Sequence, residues 1–466
     1  MLFPTMIFGL FFLFVFITAW SLDRENGRRK AFLLLASWVF YGWWDWRFVA
    51  LLIFSGTFNW AVAEWIDRSS TPRRRKALVA LAVVVDLGVL GVFKYYGFFI
   101  DQLGAALDML GWKRDLPLLQ IVLPVGISFF TFQAISYVVD VYKGTCEKAR
   151  SLLDVMLLMS FFPHLVSGPI VRARDLLPQF AQVPKPSRAM LTEALLLIVW
   201  GLLKKTVIAS ELSTNLVDPV FFDPSAYGGA DLLAAAYGYA VQIYCDFSAY
   251  SDIAIGVAAL LGYRFPRNFD QPYRAASLQE FWRRWHISLS SWLRDYVYIP
   301  LGGGRGGALK ACRNILITML LGGLWHGASW TFVAWGALHG VVLSIERLFK
   351  GARKSLFPSL IGVLVTFHVV CLGWILFRAD SFQTALTYLE GLTDWSSPPM
   401  VATPFLVGMI GFGLLMHFLP PRALERLGSL VKFAPSPALG VAVGLMMLVV
   451  EAIRPEGVAP FIYFQF

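Results

Sequence analysis

Continuous apolar runs, many of them about twenty residues long, recur along this chain between short polar segments. In lipid every backbone N–H and C=O must find a partner inside the protein, so such a chain forms membrane-spanning helices or a closed barrel. A barrel needs segments of about ten residues in which apolar and polar positions alternate. These runs do not alternate, and helices are expected. Composition agrees: 57% of the residues are hydrophobic and 15% charged, against about 25% charged in an ordinary soluble domain. The chain reads as an all-α polytopic membrane protein.

The apolar segments fall at 2–20, 31–43, 47–66, 77–100, 120–141, 152–168, 190–211, 230–262, 314–350, 356–378, 404–419 and 437–453. Their lengths predict roughly eleven transmembrane helices plus re-entrant pieces, in one integral-membrane domain over 1–466. The net charge of +10 sits in short loops, which is the positive-inside pattern and not a nucleic-acid surface. LDRENGRRK (22–30) and DRSSTPRRRK (67–76) read as cytoplasmic. The chain then turns outside at GWWDWR (42–47), with the N-terminus also outside. The first charge is Asp23 and no cleavage site follows, so the N-terminal run reads as a retained helix. FFPHLVSGP (161–169) has the prolines and glycine for a turn that sends 152–168 back. The four cysteines have no metal-type or disulfide spacing, and no metal site is expected.

In SLQEFWRRWHISLSSWLRDYVYIP (277–300), Ser277 and Glu280 have capping-box spacing. The apolar positions after them recur at three and four. One amphipathic helix with a Trp-rich face at the membrane interface is expected. His286 shares that face with Trp282, Leu289 and Leu293, and either points into the protein or anchors at the interface. The loop GGGRGG (302–307), carrying Arg305, is a flexible turn or a phosphate cradle, but not a P-loop.

LGGLWHGASWTFVAWGALHG (321–340) holds two of the six histidines. Glycines flank His326, and a helix break is expected near 322–327. Polar residues in a membrane usually face a cavity, and imidazole accepts a proton near neutral pH. His326 is therefore either a base or a ligand for a carbonyl freed by the break. His339 is thirteen residues on, about 220° around a continuous helix, and reads as structural. So do His164, His368 and His417, each alone among apolar residues. Asp246 and Asp252 point to different sides of their helix, at least one of them toward packing or an internal ion pair. Asp86 has no evident partner. Nucleophile-elbow, HExxH and ATP-binding motifs are absent from the sequence, which leaves histidine chemistry on a positioned cosubstrate.

The blocks LPVGISFFTFQAISYVVDVYKG (123–144), FFPHLVSGPIVR (161–172), YCDFSAYSDIAIG (244–256), FWRRWHISLSSWLRDYVYIPLGG (281–303) and GLWHGASWTFVAWGALHG (323–340) together resemble the membrane-bound O-acyltransferase family. The resemblance is strongest to its bacterial branch, which acetylates exopolysaccharides such as alginate and cellulose, and the ending FIYFQF fits that branch. It implies helices around a central funnel. It implies that His326 is the catalytic base and that His286 meets it in the core, orienting the acyl group or stabilising the oxyanion. Asp246, Trp325 and Arg305 would bind substrate or cosubstrate, Arg305 through the phosphates. The resemblance further implies no bound cofactor, cytoplasmic acetyl-CoA as acyl donor, and a periplasmic partner protein that esterifies the polysaccharide. The location would be the bacterial inner membrane, with a periplasmic N-terminus. D-alanyl transfer to teichoic acid is the alternative within the class. A transporter or flippase is the alternative outside it, disfavoured because no paired repeat is visible.

Overall fold

The computed structural model describes residues 1, 3–22, 26–112, 119, 121–350, 359–419 and 436–453. Asp23 and the ending FIYFQF lie outside the described residues. Every regular element among the described residues is helical. Six stretches are long and apolar enough to cross a membrane: Asn26–Arg68, Pro72–Met109, Gly229–Leu260, Ala308–His326, Trp330–Phe349 and Ser359–Arg378. Met6–Ser21 and Pro404–Phe418 are apolar but shorter. The protein is thus multi-pass; these stretches do not by themselves confirm the expected eleven, and some apolar runs fold as short or broken helices. Segment 152–168 is one case. Its helix Leu152–Ser160 has nine residues, about 14 Å of rise against a hydrocarbon core of about 30 Å.

The chain divides into two compact units, residues 1–185 with 261–265, and residues 186–260 with 266–466. The first contains α1 (Met6–Ser21), α2 (Asn26–Asp45), α3 (Val49–Arg68), α4 (Pro72–Met109), α5 (Ile127–Lys143), α6 (Leu152–Ser160) and α7 (Ala173–Phe180). The break between α2 and α3 falls in GWWDWR, where Asp45 accepts from the Arg47 N–H at 3.0 Å. Asp86 on α4 does have a partner: Asn59 Nδ2 on α3 donates to it at 3.1 Å. After α6 the FFPHLVSGP segment forms one turn, Phe162–Leu165, and then irregular chain up to α7.

The second unit contains α8 (Arg188–Leu203), α9 (Gly229–Leu260), α10 (Leu278–Arg284), α11 (Ile287–Leu293), α12 (Ala308–His326), α13 (Trp330–Lys350), α14 (Ser359–Arg378), α15 (Phe382–Gly391), α16 (Pro404–Leu415) and α17 (Ser436–Ile453). Most of α9 is buried, as suits a helix surrounded by others. It packs closely on α8 at Gly256, where a Cβ would stand 2.7 Å from the Ala194 carbonyl oxygen. Past its end α8 widens into a π-helical stretch, Lys204–Ala209. Such widened turns are frequent at functional sites.

Candidate active site

His326 is the last residue of α12, and α13 restarts at Trp330. The break falls at 327–329, on the far edge of the expected 322–327, with Gly322 and Gly323 still inside α12. The two helices fold back against each other with backbones in contact. A Cβ at Gly323 would run into the Phe332 carbonyl oxygen, and one at Gly336 into that of Met319. Small residues that let backbones approach are how membrane helices pair. The corner leaves His326 only 5% exposed. Its ring stands 5.0 Å, centroid to centroid, from each of Trp325, Trp335 and Phe377.

His286 arrives from another part of the fold, and its setting corrects the expected single amphipathic helix. The start is as expected: Ser277 Oγ accepts from the Glu280 N–H at 3.2 Å. The helix stops at Arg284, however. Trp285 is extended, and His286 adopts φ 42, in the left-handed region. Asn268 stabilises the restart. Its backbone carbonyl accepts from the Ile287 N–H at 2.8 Å. Its side-chain oxygen accepts from the Ser288 N–H at 3.1 Å and from the Ser288 hydroxyl at 2.8 Å. The first amides of α11, which have no partner within the helix, are thereby satisfied from outside.

The tryptophans of this segment are not an interfacial stripe. Trp285 and Trp292 are 2% and 5% exposed. Trp285 packs on Phe269 and Trp374 at 5.0 and 4.9 Å. Aromatic pairs in such contact contribute about 0.5–1.5 kcal/mol beyond the area they bury.

Forty residues apart in sequence, His286 and His326 are brought to the same indole. The His286 ring lies 5.9 Å from Trp325, and Trp325 lies 5.0 Å from His326. His286, outside the long apolar helices, is fully buried, and burial holds its pKa down at about 3. The imidazole is neutral at physiological pH.

His339 is also nearer than expected. The 220° separation assumed a continuous helix, and the break removes that geometry. The Trp335 ring is 5.0 Å from His326 and 4.7 Å from His339. Trp282 Nε1 donates to His339 Nδ1 at 3.2 Å. His368 and His417 each pair Nδ1 with the carbonyl four residues earlier, at 2.8 and 3.0 Å.

Asp246 forms an ion pair with Lys205 at 2.8 Å, and Asp252 one with Lys204 at 2.7 Å. Its neighbour Phe247 packs on His286 at 4.5 Å. The two lysines went unnoticed in the sequence, although KK within the apolar run 190–211 was the signal. Asn268, in an ordinary-looking polar loop, carried no signal at all.

Arg305 is exposed, and its N–H donates to the Gly302 carbonyl within the glycine loop. A cavity of about 580 Å³ in this unit is lined instead by Arg283, Arg294 and Arg347, with Trp282, Tyr298 and Thr318. Arg347 also donates to the Gly304 carbonyl at 3.3 Å, which ties the loop to the cavity wall. Asp295 accepts from Arg294 Nε at 2.7 Å and raises its pKa.

The family description "membrane-bound O-acyltransferase" matches residues 148–377, which include every site residue named above. A probable alginate O-acetylase AlgI from Pseudomonas aeruginosa is 42% identical over 402 residues, 85% of this chain and 76% of the relative. This chain belongs to the membrane-bound O-acyltransferase family. It is an O-acyltransferase of the membrane. A peptidoglycan O-acetyltransferase of Helicobacter pylori is 36% identical over 392 residues, 78% of this chain and 73% of the relative. A teichoic acid D-alanyltransferase of Streptococcus thermophilus is 29% identical over 287 residues, 54% of this chain and 68% of the relative.

Proposed function

We propose that this acyltransferase takes acetyl groups from cytoplasmic acetyl-CoA and passes them across the bacterial inner membrane. A periplasmic partner protein then O-acetylates an exopolysaccharide of the alginate or cellulose type. The observation that carries the reading is the pair of buried histidines that both pack on Trp325. His326 takes the proton of the acceptor hydroxyl as its oxygen attacks the thioester carbonyl. A C–O bond forms, the C–S bond breaks, and the thiolate leaves with the proton returned from His326. A base so placed contributes about 10²–10⁴-fold.

The arginine-lined cavity suits the donor. Guanidinium groups bind phosphates in a bidentate fashion, and Trp282 and Tyr298 offer rings to an adenine. That assigns the phosphates to Arg283, Arg294 and Arg347 in place of Arg305. Acetyl is favoured over D-alanyl because the acetylating relatives are more similar and match more of the chain.

Purified protein in vesicles, supplied with labelled acetyl-CoA and a soluble acceptor, is expected to transfer label, and His326→Ala to lose at least ~10²-fold. Transfer from a D-alanyl carrier protein and none from acetyl-CoA would overturn the donor. The N-terminus is assigned to the periplasm and the 67–76 loop to the cytoplasm. A cysteine in that loop that reacts with an impermeant reagent in intact cells would reverse the orientation.

A further inference from the structure

We propose that Asn268 is a positioning residue that holds His286 in one tautomer, hydrogen on Nδ1 and lone pair on Nε2. In that form His286 accepts a hydrogen bond from the reactants and does not donate one to an oxyanion. The proposal rests on the reading that His286 serves the transfer reaction.

The tautomer follows from a chain of partners. A backbone N–H can only donate, so the Asn268 atom 3.1 Å from the Ser288 nitrogen is the amide oxygen. The Ser288 hydroxyl donates to the same oxygen at 2.8 Å. At the other end of the amide, Nδ2 donates to Ser251 Oγ on α9 at 3.1 Å. Both ends of the Asn268 side chain are therefore assigned. His286 Nδ1 lies 3.3 Å from the oxygen. An amide oxygen only accepts, and the Ser288 hydroxyl, 3.5 Å from Nδ1, already donates its hydrogen to that oxygen, so Nδ1 carries the hydrogen. A neutral imidazole has one N–H, and Nε2 is left with its lone pair. Nε2 is buried and has no hydrogen-bond partner among the described residues.

Asn268 acts twice at this point, since its backbone carbonyl also holds Ile287. Residue 286 is one of two non-glycine positions among the described residues with positive φ. A bend of that kind persists only where its surroundings hold it, and such bends cluster at active sites. One side chain thus helps fix both the place of the imidazole and the nitrogen that bears its hydrogen.

The rings packed on His286 are Phe247, Phe269 and Trp325, none of which titrates at working pH. Among the charged groups on the elements around it, Asp246 on α9 is held by Lys205. Arg284 on α10 is held by Asp270, from the loop before α10, and by Glu280. Arg294 follows α11 and pairs with Asp295. On α12, His326 packs on Trp325 at 5.0 Å.

Asn268→Asp, Asn268→Leu and His286→Ala decide it, assayed with acetyl-CoA from pH 5.5 to 9. Asn268→Asp keeps an acceptor on Nδ1 but sets a negative charge beside it, which raises the imidazole pKa. At low pH Nε2 then takes up a proton and its lone pair is lost. Asn268→Asp is expected to approach wild-type kcat at pH 9 and to lose activity toward pH 5.5 where wild type does not, which from a starting value of about 3 takes a rise of about 3 units, the upper end for a carboxylate set beside an imidazole. Asn268→Leu is expected to lose kcat with little change in the KM for acetyl-CoA. A pH profile for Asn268→Asp parallel to wild type would overturn the proposal. Wild-type activity in His286→Ala would instead overturn the reading it rests on. Ring nitrogen NMR of histidine-labelled wild type against His286→Ala supplies a readout that needs no variant at 268. A hydrogen on Nδ1 of His286 is expected, and one on Nε2 alone would overturn the proposal.

Discussion

Lys205 and Asp246 form an ion pair at 2.8 Å with side chains only 1% and 4% exposed. A buried pair is costly to form, and removal of one partner strands the other charge, which costs about 3–5 kcal/mol. Lys205→Met or Asp246→Asn is therefore expected to lower the unfolding temperature markedly. Lys205→Met with Asp246→Leu should recover much of it, since apolar replacement of both partners is often neutral. Thermal unfolding in detergent measures this, and a double variant less stable than either single one would contradict it.

The two histidines that pack on Trp325 are expected to act as a unit. His286→Ala and His326→Ala should each be severe, and the double variant little worse than the worse single one, because residues of one machinery are strongly non-additive. Initial rates of acetyl transfer measure it. Multiplicative losses would mean that the two act in separate steps.

His339 supports its surroundings through the Trp282 hydrogen bond. His339→Phe retains a ring but leaves a half-buried indole N–H without its acceptor, worth up to about 1 kcal/mol. A lower unfolding temperature is expected, with a loss of activity well short of the ~10² for a missing base. A loss that large in a well-folded His339→Phe would transfer the base role from His326 to His339.

The cavity arginines are expected to act on the donor's phosphates. Arg283→Ala, Arg294→Ala and Arg347→Ala should each raise the KM for acetyl-CoA about tenfold or more, the range of one charged hydrogen bond. The KM for S-acetyl-pantetheine, which lacks those phosphates, should barely move. Arg305→Ala should change little, because Arg305 does not line that cavity. Equal effects on both donors would remove the cavity from phosphate binding.

Hydropathy made the long helices legible, and local chemistry made the corner at His326 and the cap at Ser277 legible. Glycine flanks and Ser/Glu spacing act within a few residues, so they can be read one residue at a time. The kink at Trp285–His286 could not be read that way. It is held by Asn268, which lies earlier in the chain, and a three-and-four periodicity on both sides of a kink looks like one helix. The buried lysines failed for a related reason. A charge in an apolar run can be tolerated only if a carboxylate elsewhere meets it, and the spacing of Asp246 and Asp252 does not say which cations they meet. His326 and His286 were singled out together only through the family resemblance, since nothing local relates two residues forty positions apart.

The backbone contact between α12 and α13 bears on how the protein comes to be folded. Gly323 meets Phe332, and Gly336 meets Met319, so the contacts that shape the His326 corner close only short loops. Contacts of low sequence separation form fastest. This hairpin can assemble as soon as both of its helices have left the ribosome and entered the bilayer. The Trp374 and Phe377 rings on α14, and with them the finished aromatic wall, can arrive only later in synthesis. The His326 corner is thus a local hairpin whose shaping contacts need nothing from the later helix.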